Sequence, residues 1–251
     1  MAVYIMRCTR QLARCFVLGR LPGAVAVFLS VVGLSTVRAA DVEGMVKIQH
    51  KLTKHRVTAP TSSYERGAAV RLASDHADDP LTFERMRVVI YLEGQLASDP
   101  LTATMEQKNR MFIPDTLVIP AGSTVSFPNL DPIFHNVFSL SKPKTFDLGN
   151  YPKDHTRTIT FSKPGIVYVD CHLHPNMAAV IVVTPNQWSA KADAAGRFVL
   201  AGVPPGSYTV VAWHRAAGFF RQTIRVAENR ANIVSFVIPL EENGAMAVAQ
   251  R

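Results

Sequence analysis

The chain has 251 residues, of which 48% are hydrophobic and 18% charged, and its formal net charge is +8. Five of the positive charges are arginines within residues 1–39, so the remaining 212 residues carry a net charge of only +3. The other lysines and arginines form no long basic block, which removes the main support for nucleic-acid binding. A chain of this remaining length is enough for two small domains.

Residues 1–39 have the pattern of a secretory signal peptide. An arginine-rich segment without acidic residues precedes an apolar stretch from Leu21 to Val37, and Val37-Arg38-Ala39 is typical of a cleavage site. The alternative is a single membrane anchor, because the 17 apolar residues reach the lower limit for a membrane span. Proline and glycine interrupt the stretch and favour cleavage. We therefore expect a periplasmic protein with no stable membrane span after signal removal.

The rest of the chain is predicted to be all-β. Short apolar or alternating runs are separated by Gly, Pro, Asn and Asp, and no long helical period is present. The predicted strands, in chain order, cover residues 42–48, 87–92, 116–119, 124–127, 135–139, 156–161, 165–170 and 179–183. The polar stretch 50–80 is predicted to be a long loop, and residues 241–251 a flexible tail.

Cys171 is the only cysteine beyond the predicted signal peptide. An unpaired cysteine in an oxidising compartment is a liability unless its sulfur is occupied. It begins the segment Cys171-His172-Leu173-His174-Pro175-Asn176-Met177. Thiolate, imidazole and thioether together form a soft donor set that indicates a copper site. The same set accepts zinc, although Cu(II) is favoured on affinity.

A further imidazole ligand is supplied by His135, which lies 36 residues before Cys171 in an apolar, β-prone run. This separation is large enough to place the ligands on different strands. The predicted metal ligands are therefore His135, Cys171, His174 and Met177, binding one copper per chain. His172 directly follows the cysteine and would face the other way on a strand, so it is predicted not to be a ligand.

Three pieces of this sequence together resemble the cupredoxin family. They are Pro-Ala-Gly-Ser-Thr-Val-Ser-Phe-Pro-Asn at 120–129, the His135-Asn136 pair, and Cys-x-x-His-x-x-Met, whose short spacing is similar to that of amicyanins. The resemblance covers roughly residues 102–184. It implies a Greek-key β-sandwich over residues 100–185 with a type 1 (blue) copper site. It also implies that Asn136 helps to tie the ligand loops together and donates to the thiolate sulfur.

The C-terminal part resembles a different β-sandwich. Residues 193–200 and 203–210 carry the turn, Gly-x-Phe and Pro-Pro-Gly-x-Tyr signature of transthyretin-like or carboxypeptidase-regulatory-like domains. The first two strands of such a domain are found only before the copper segment, at 42–46 and 88–92. We therefore expect one discontinuous sandwich, residues 41–99 and 186–240, with the copper domain inserted. The alternative is an N-terminal β extension, then the cupredoxin, then a separate C-terminal sandwich.

The two-part layout is similar to proteins labelled plastocyanin-like or methylamine-utilisation proteins. This resemblance implies a non-enzymatic carrier of single electrons between redox partners, such as a c-type cytochrome or a periplasmic oxidoreductase. The alternative is a copper delivery, storage or envelope interaction protein. A multicopper oxidase would need histidines on both sides of the cysteine, whereas Asp170 precedes Cys171 here. A binuclear copper centre would need a second cysteine.

Overall fold

The structure is a computed structural model of the chain. It describes residues 39–50, 52, 81–94, 96–228, 230 and 232–238. The predicted tail, nearly all of the predicted signal peptide and most of the predicted 50–80 loop lie outside these residues. Among the described residues, no helix has the length and apolar character that crossing a bilayer requires.

The described part of the chain is built from β-strands, which confirms the predicted all-β class. Its one α-helix has four residues. Alternation of buried and half-buried residues, as in Ser123–Pro128, is the strand pattern that places Val125 and Phe127 in a core. The elements, in chain order, are β1 (Ala40–Ile48), α1 (Thr82–Arg85), β2 (Val89–Glu93), β3 (Thr102–Thr104), β4 (Glu106–Lys108), β5 (Met111–Ile113), β6 (Thr116–Pro120), β7 (Ser123–Pro128), β8 (His135–Ser139), β9 (Phe146–Tyr151), β10 (Thr156–Phe161), β11 (Gly165–Asp170), β12 (Ala178–Thr184), β13 (Ser189–Lys191), β14 (Arg197–Val203), β15 (Gly206–His214), β16 (Gly218–Val226) and β17 (Asn232–Ile238).

Strands β3 to β12 form what we call the central sandwich. One sheet has the order β10-β7-β3, and the facing sheet has the order β6-β12-β11-β8-β9. The hairpin of β4 and β5 is a separate two-stranded sheet. The core between the sheets includes Phe127, Phe161, Val169 and Met177, all fully or almost fully buried.

The remaining strands form what we call the terminal sandwich. One sheet has the order β14-β1-β17, in which β1 is antiparallel to β14 and parallel to β17. The other has the order β13-β2-β15-β16. Strands from before and after the central sandwich therefore pair within the same sheets.

The two sandwiches share a packed boundary because β12 is buried on both faces. Ala179, Ile181 and Val183 point into the central core, whereas Val180 and Val182 pack with residues of β2 and β15, including Trp213. A strand covered on both sides carries a continuous apolar run rather than an alternating one. This explains the sequence Ala-Ala-Val-Ile-Val-Val of residues 178–183.

Candidate metal centre

His135 and Cys171 lie at neighbouring ends of two paired strands. His135 is the first residue of β8, and Cys171 directly follows Asp170, the last residue of β11. The two strands are antiparallel, with Asp170 opposite Phe138, so the start of one adjoins the end of the other. Both side chains are buried, at 0% and 4% exposure.

The other two predicted ligands lie in the loop from Cys171 to Met177, which joins β11 to β12. The Met177 amide donates to the His174 carbonyl over 2.9 Å, which closes a turn in this loop. His174 is half-buried, whereas Met177 is 1% exposed and packs in the same core cluster as Cys171. The short loop thus places a buried thioether in the core cluster that contains the cysteine and leaves one imidazole partly at the surface.

Three donor atoms converge at this place. The distance between Nδ1 of His135 and Nδ1 of His174 is 3.1 Å, and Cys171 Sγ lies 4.0 Å and 3.7 Å from these nitrogens. Among the residues that the structure describes, these three form the one group of at least three His, Cys, Asp or Glu side chains whose ligand atoms all lie within 4.8 Å. The predicted ligands His135, Cys171 and His174 are therefore brought together.

The separations fit a single ion held between the three donors. Nitrogen about 2.0 Å and sulfur about 2.3 Å from a shared ion lie about 3.3–3.8 Å from one another. The observed range of 3.1–4.0 Å spans those values. Two imidazoles, a thiolate and a nearby buried thioether form a donor set suited to copper.

Asp131 holds the far side of the His135 ring. Its Oδ2 lies 2.8 Å from His135 Nε2, and its carboxylate also accepts hydrogen bonds from the amides of Asn109 and Arg110. Burial acts to raise the pKa of Asp131, but the hydrogen bonds from Arg110, His135 and Asn109 outweigh it and hold the pKa below its ordinary value. The carboxylate is therefore the charged form at neutral pH.

Asn136 ties the two ligand segments together. Its backbone amide donates to Cys171 Sγ over 3.4 Å, and its side-chain Oδ1 lies 3.5 Å from the backbone nitrogen of His172. Its Nδ2 donates to Asp147 Oδ1 over 2.7 Å. Hydrogen bonds of this kind fix the orientation of a ligand and tune the metal it holds. The donor to the sulfur is the backbone, while the side chain links the strands.

His172 points away from the three donor atoms. Its ring stacks on Phe138, and its Nε2 lies 3.7 Å from Asp147 Oδ2. Its side chain is 55% exposed. His172 is not part of the convergent group, as the alternation of side chains along an extended segment predicts.

The environment of His174 keeps its imidazole in the neutral, ligand form. Burial lowers its pKa from the ordinary value, and the neighbouring His135 and Arg110 lower it further, against a smaller opposite effect of Asp131. A metal ligand must offer an unprotonated nitrogen. The ring is therefore prepared to bind an ion near neutral pH.

Two other described histidines have different surroundings. His155 is exposed, and its Nδ1 lies 3.0 Å from the carbonyl of Lys153. His214 is fully buried in the terminal sandwich, with its Nε2 3.1 Å from Glu84 Oε2. Its Nδ1 accepts a hydrogen bond from the Ala216 amide.

Sequence reasoning missed Asp131 and Asp147. Asp131 is four residues before His135 in an Asn-x-Asp-Pro segment typical of a turn, and this spacing from a predicted ligand was an available signal. No comparable signal exists for Asp147, because its contacts depend on the pairing of β8 with β9. Strand β9 itself was not among the predicted strands.

No protein-family model and no curated protein matches this chain. A copper-containing nitrite reductase from Thermus scotoductus SA-01 is 30% identical over 36% of this chain and 24% of its own, with a TM-score of 0.32. A purple cupredoxin from Nitrosopumilus maritimus is 23% identical over 33% of this chain and 99% of its own, with a TM-score of 0.30. A reduced amicyanin variant is 19% identical over 38% and 97%, with a TM-score of 0.30.

These likenesses concern a minor part of the chain. The chain spans only 24% of the nitrite reductase, and none of the three matches covers more than 38% of this chain. The terminal sandwich is not identified by them. The donor atoms of this chain, rather than these likenesses, indicate the chemistry of the centre.

Proposed function

We propose that this chain is a periplasmic type 1 copper protein of the cupredoxin kind, which binds one copper through His135, Cys171, His174 and Met177 and carries single electrons. The observation that carries the proposal is the convergence of two imidazole nitrogens and one cysteine sulfur within 4.0 Å of one another. The bound ion would supply a one-electron couple between Cu(I) and Cu(II).

The residues around the centre suit electron transfer rather than substrate turnover. His135 lies in the paired strand β8, Cys171 directly follows the paired strand β11, and both side chains are buried, so we expect the donors to move little between oxidation states. Four protein donors leave no open position, whereas catalytic metal sites keep one free. We therefore propose that the protein is not an enzyme.

His174 is the proposed contact with a redox partner. It is the half-buried ligand, and the large apolar residues next to the ligands in the sequence, Phe134 and Leu173, are 55% and 44% exposed. Because the ligands that they adjoin converge, we propose that these exposed side chains form one interaction surface. A c-type cytochrome or a periplasmic oxidoreductase would receive or supply the electron there.

The export of the protein is proposed from the pattern of residues 1–39. An unpaired, buried Cys171 is compatible with an oxidising compartment when an ion occupies its sulfur. Expression of the full chain in a bacterium, followed by fractionation and mass determination, tests this. Recovery of a periplasmic form that begins near residue 40 supports it, and a form retained whole in the membrane favours the anchor.

The copper proposal is tested by loading the purified protein with Cu(II). Strong visible absorption from thiolate-to-copper charge transfer is expected, and Cys171→Ala should abolish it. Reversible one-electron voltammetry, with stopped-flow oxidation of the reduced protein by a c-type cytochrome, tests electron transfer. Irreversible release of copper on reduction, with transfer to an acceptor, would instead indicate delivery of the metal.

A further inference from the structure

Asp131 is a buried carboxylate whose hydrogen bonds all lead to the same small region. Oδ1 accepts from the amide of Asn109 over 2.7 Å, and Oδ2 accepts from the amide of Arg110 over 2.8 Å. Oδ2 also lies 2.8 Å from Nε2 of His135, and the Asp131 side chain is only 9% exposed. The carboxylate therefore connects the β4–β5 hairpin to a ligand of the proposed copper site.

The hairpin turn is shaped to bind this carboxylate. Asn109 and Arg110 are the two residues between Lys108 and Met111, which face each other in the ladder. Both have left-handed backbones, with φ of 55° and 56°, which is uncommon for residues other than glycine. This is the two-residue turn that continues the twist of a hairpin, and here its two successive amides point to one anion.

The position of Asp131 is fixed from its own side as well. Its amide donates to Asn129 Oδ1 over 3.0 Å, and Asn129 is fully buried. The Nδ2 group of Asn129 donates to the carbonyls of Ile133 and Tyr151 over 2.8 Å and 3.1 Å. Hydrogen bonds of Asn129 and Asp131 therefore fix the segment that leads to His135.

The hydrogen bonds decide which nitrogen of His135 carries its proton. An ionised carboxylate only accepts, so Nε2 must be the protonated nitrogen that donates to Asp131. A neutral imidazole has one N–H, which leaves a lone pair on Nδ1. Nδ1 is the nitrogen that faces Cys171 Sγ and His174 Nδ1.

We infer that Asp131, seated on the Asn109–Arg110 turn, is a positioning residue that fixes the tautomer and ring orientation of His135 so that Nδ1 is offered to a metal. Its effect on copper rests on the proposed function, but the tautomer is a property of the metal-free protein. Asp131 acts through His135, because its contacts are with Nε2 and not with the three convergent donor atoms. A carboxylate on the far nitrogen also makes the imidazole a stronger donor.

The test compares three variants. Asp131→Ala removes the acceptor, Asp131→Asn keeps the shape of the side chain and one oxygen acceptor, and Asn109→Gly changes the turn. Glycine adopts the left-handed backbone readily and keeps the amide, so Asn109→Gly is the matched control. Nitrogen-15 NMR of the metal-free proteins, at alkaline pH where imidazole is neutral, reports which nitrogen of His135 is protonated. Copper affinity is measured by competition with a chelator.

In the wild-type protein and in Asn109→Gly we expect a single Nε2–H tautomer. In Asp131→Ala we expect a mixture of tautomers and copper binding weaker by about 10–100-fold. Asp131→Asn should restore the tautomer, because its amide oxygen can still accept from Nε2. It also provides the comparison if the alanine variant fails to fold.

Two results would overturn the inference: an Nδ1–H tautomer in the wild-type protein, or an unchanged Nε2–H tautomer and copper affinity in a folded Asp131→Ala. The proposed function is tested by a separate measurement, the visible absorption with Cu(II). A wild-type protein with the expected tautomer but no strong visible absorption with Cu(II) would refute the copper proposal while leaving the positioning role of Asp131 intact.

Discussion

The imidazole of His172 lies flat against the phenyl ring of Phe138, with ring centroids 3.6 Å apart and planes inclined by 6°. The stacked ring is not in the convergent group of donors, although His172 is adjacent to Cys171 in the chain. We expect His172→Ala to retain the charge-transfer absorption of the copper-loaded protein. His174→Ala, a change of the same size two residues later, should strongly alter or remove it. Loss of the absorption in His172→Ala would show that His172 is a ligand.

Met177→Leu should raise the reduction potential of the copper-loaded protein and leave its colour. The axial thioether is a weak donor, so its loss favours Cu(I) while the thiolate remains in place. We expect a shift on the order of 60 mV, which is a tenfold change in a one-electron equilibrium. Because Met177 is 1% exposed, leucine is chosen to keep the core filled. Voltammetry measures the shift, and an unchanged or lower potential would exclude Met177 as an axial ligand.

Stability should fall on acidification through His214. Burial, assisted by Arg87, lowers the pKa of His214 below its ordinary value of 6.5, against the opposing effect of Glu84. The unfolded chain then binds more protons than the folded chain, so the stabilisation is complete above pH 6.5 and is lost as the pH falls below it. The maximum slope for one group is about 1.4 kcal/mol per pH unit.

The measurement is the free energy of unfolding of the metal-free protein in denaturant, across the pH interval just below 6.5. His214→Gln should reduce the dependence on pH in that interval. The exposed His155, changed to Gln, serves as the matched control and should keep the wild-type slope. Equal slopes in all three proteins would contradict the assignment to His214.

Val180→Ala should destabilise the protein by about 2 kcal/mol, because it removes two buried carbon atoms and leaves a cavity. Val180 is fully buried at the boundary between the two sandwiches and not in the cluster that contains Cys171. The copper absorption should therefore be unchanged. Val199→Ala, at a position 49% exposed, is the control and should change stability little. A loss below that of the control would mean that the boundary contributes little to folding.

The strands nearest the site could be predicted from sequence because their patterns are local. The predicted bounds 135–139, 156–161 and 165–170 are those of β8, β10 and β11. Short strands without an apolar run, such as Thr102–Thr104 and Glu106–Lys108, gave no such signal. The sequence also predicted pairing of the earliest strands with the C-terminal strands, and in the structure β1 pairs with β14 and β17.

The convergence of His135, Cys171 and His174 was predictable because the spacing of soft donors along the chain indicates a shared ion. The hydrogen bonds and ion pairs outside this group were not predictable, since they depend on tertiary contacts. Asp131 and Arg110 are 21 residues apart in the chain. Glu84 and His214 are in contact although the whole sequence of the central sandwich lies between them. An apolar run also does not show which residues face which domain. In β12, alternate residues pack into the central core and against the terminal sandwich.

We expect the parallel pairing of β1 with β17 to form late in folding, because the two strands are far apart in the chain. Val42 is paired with Asn232, so β1 has no partner on that side until β17 has been made. Until then, the unpaired amides and carbonyls on that side of the strand can pair with other chains. Contacts of such long sequence separation form slowly, because the intervening loop must first be closed. The strands of the central sandwich all lie between residues 102 and 184. We expect this sandwich to fold first and to bring together the two segments that flank it.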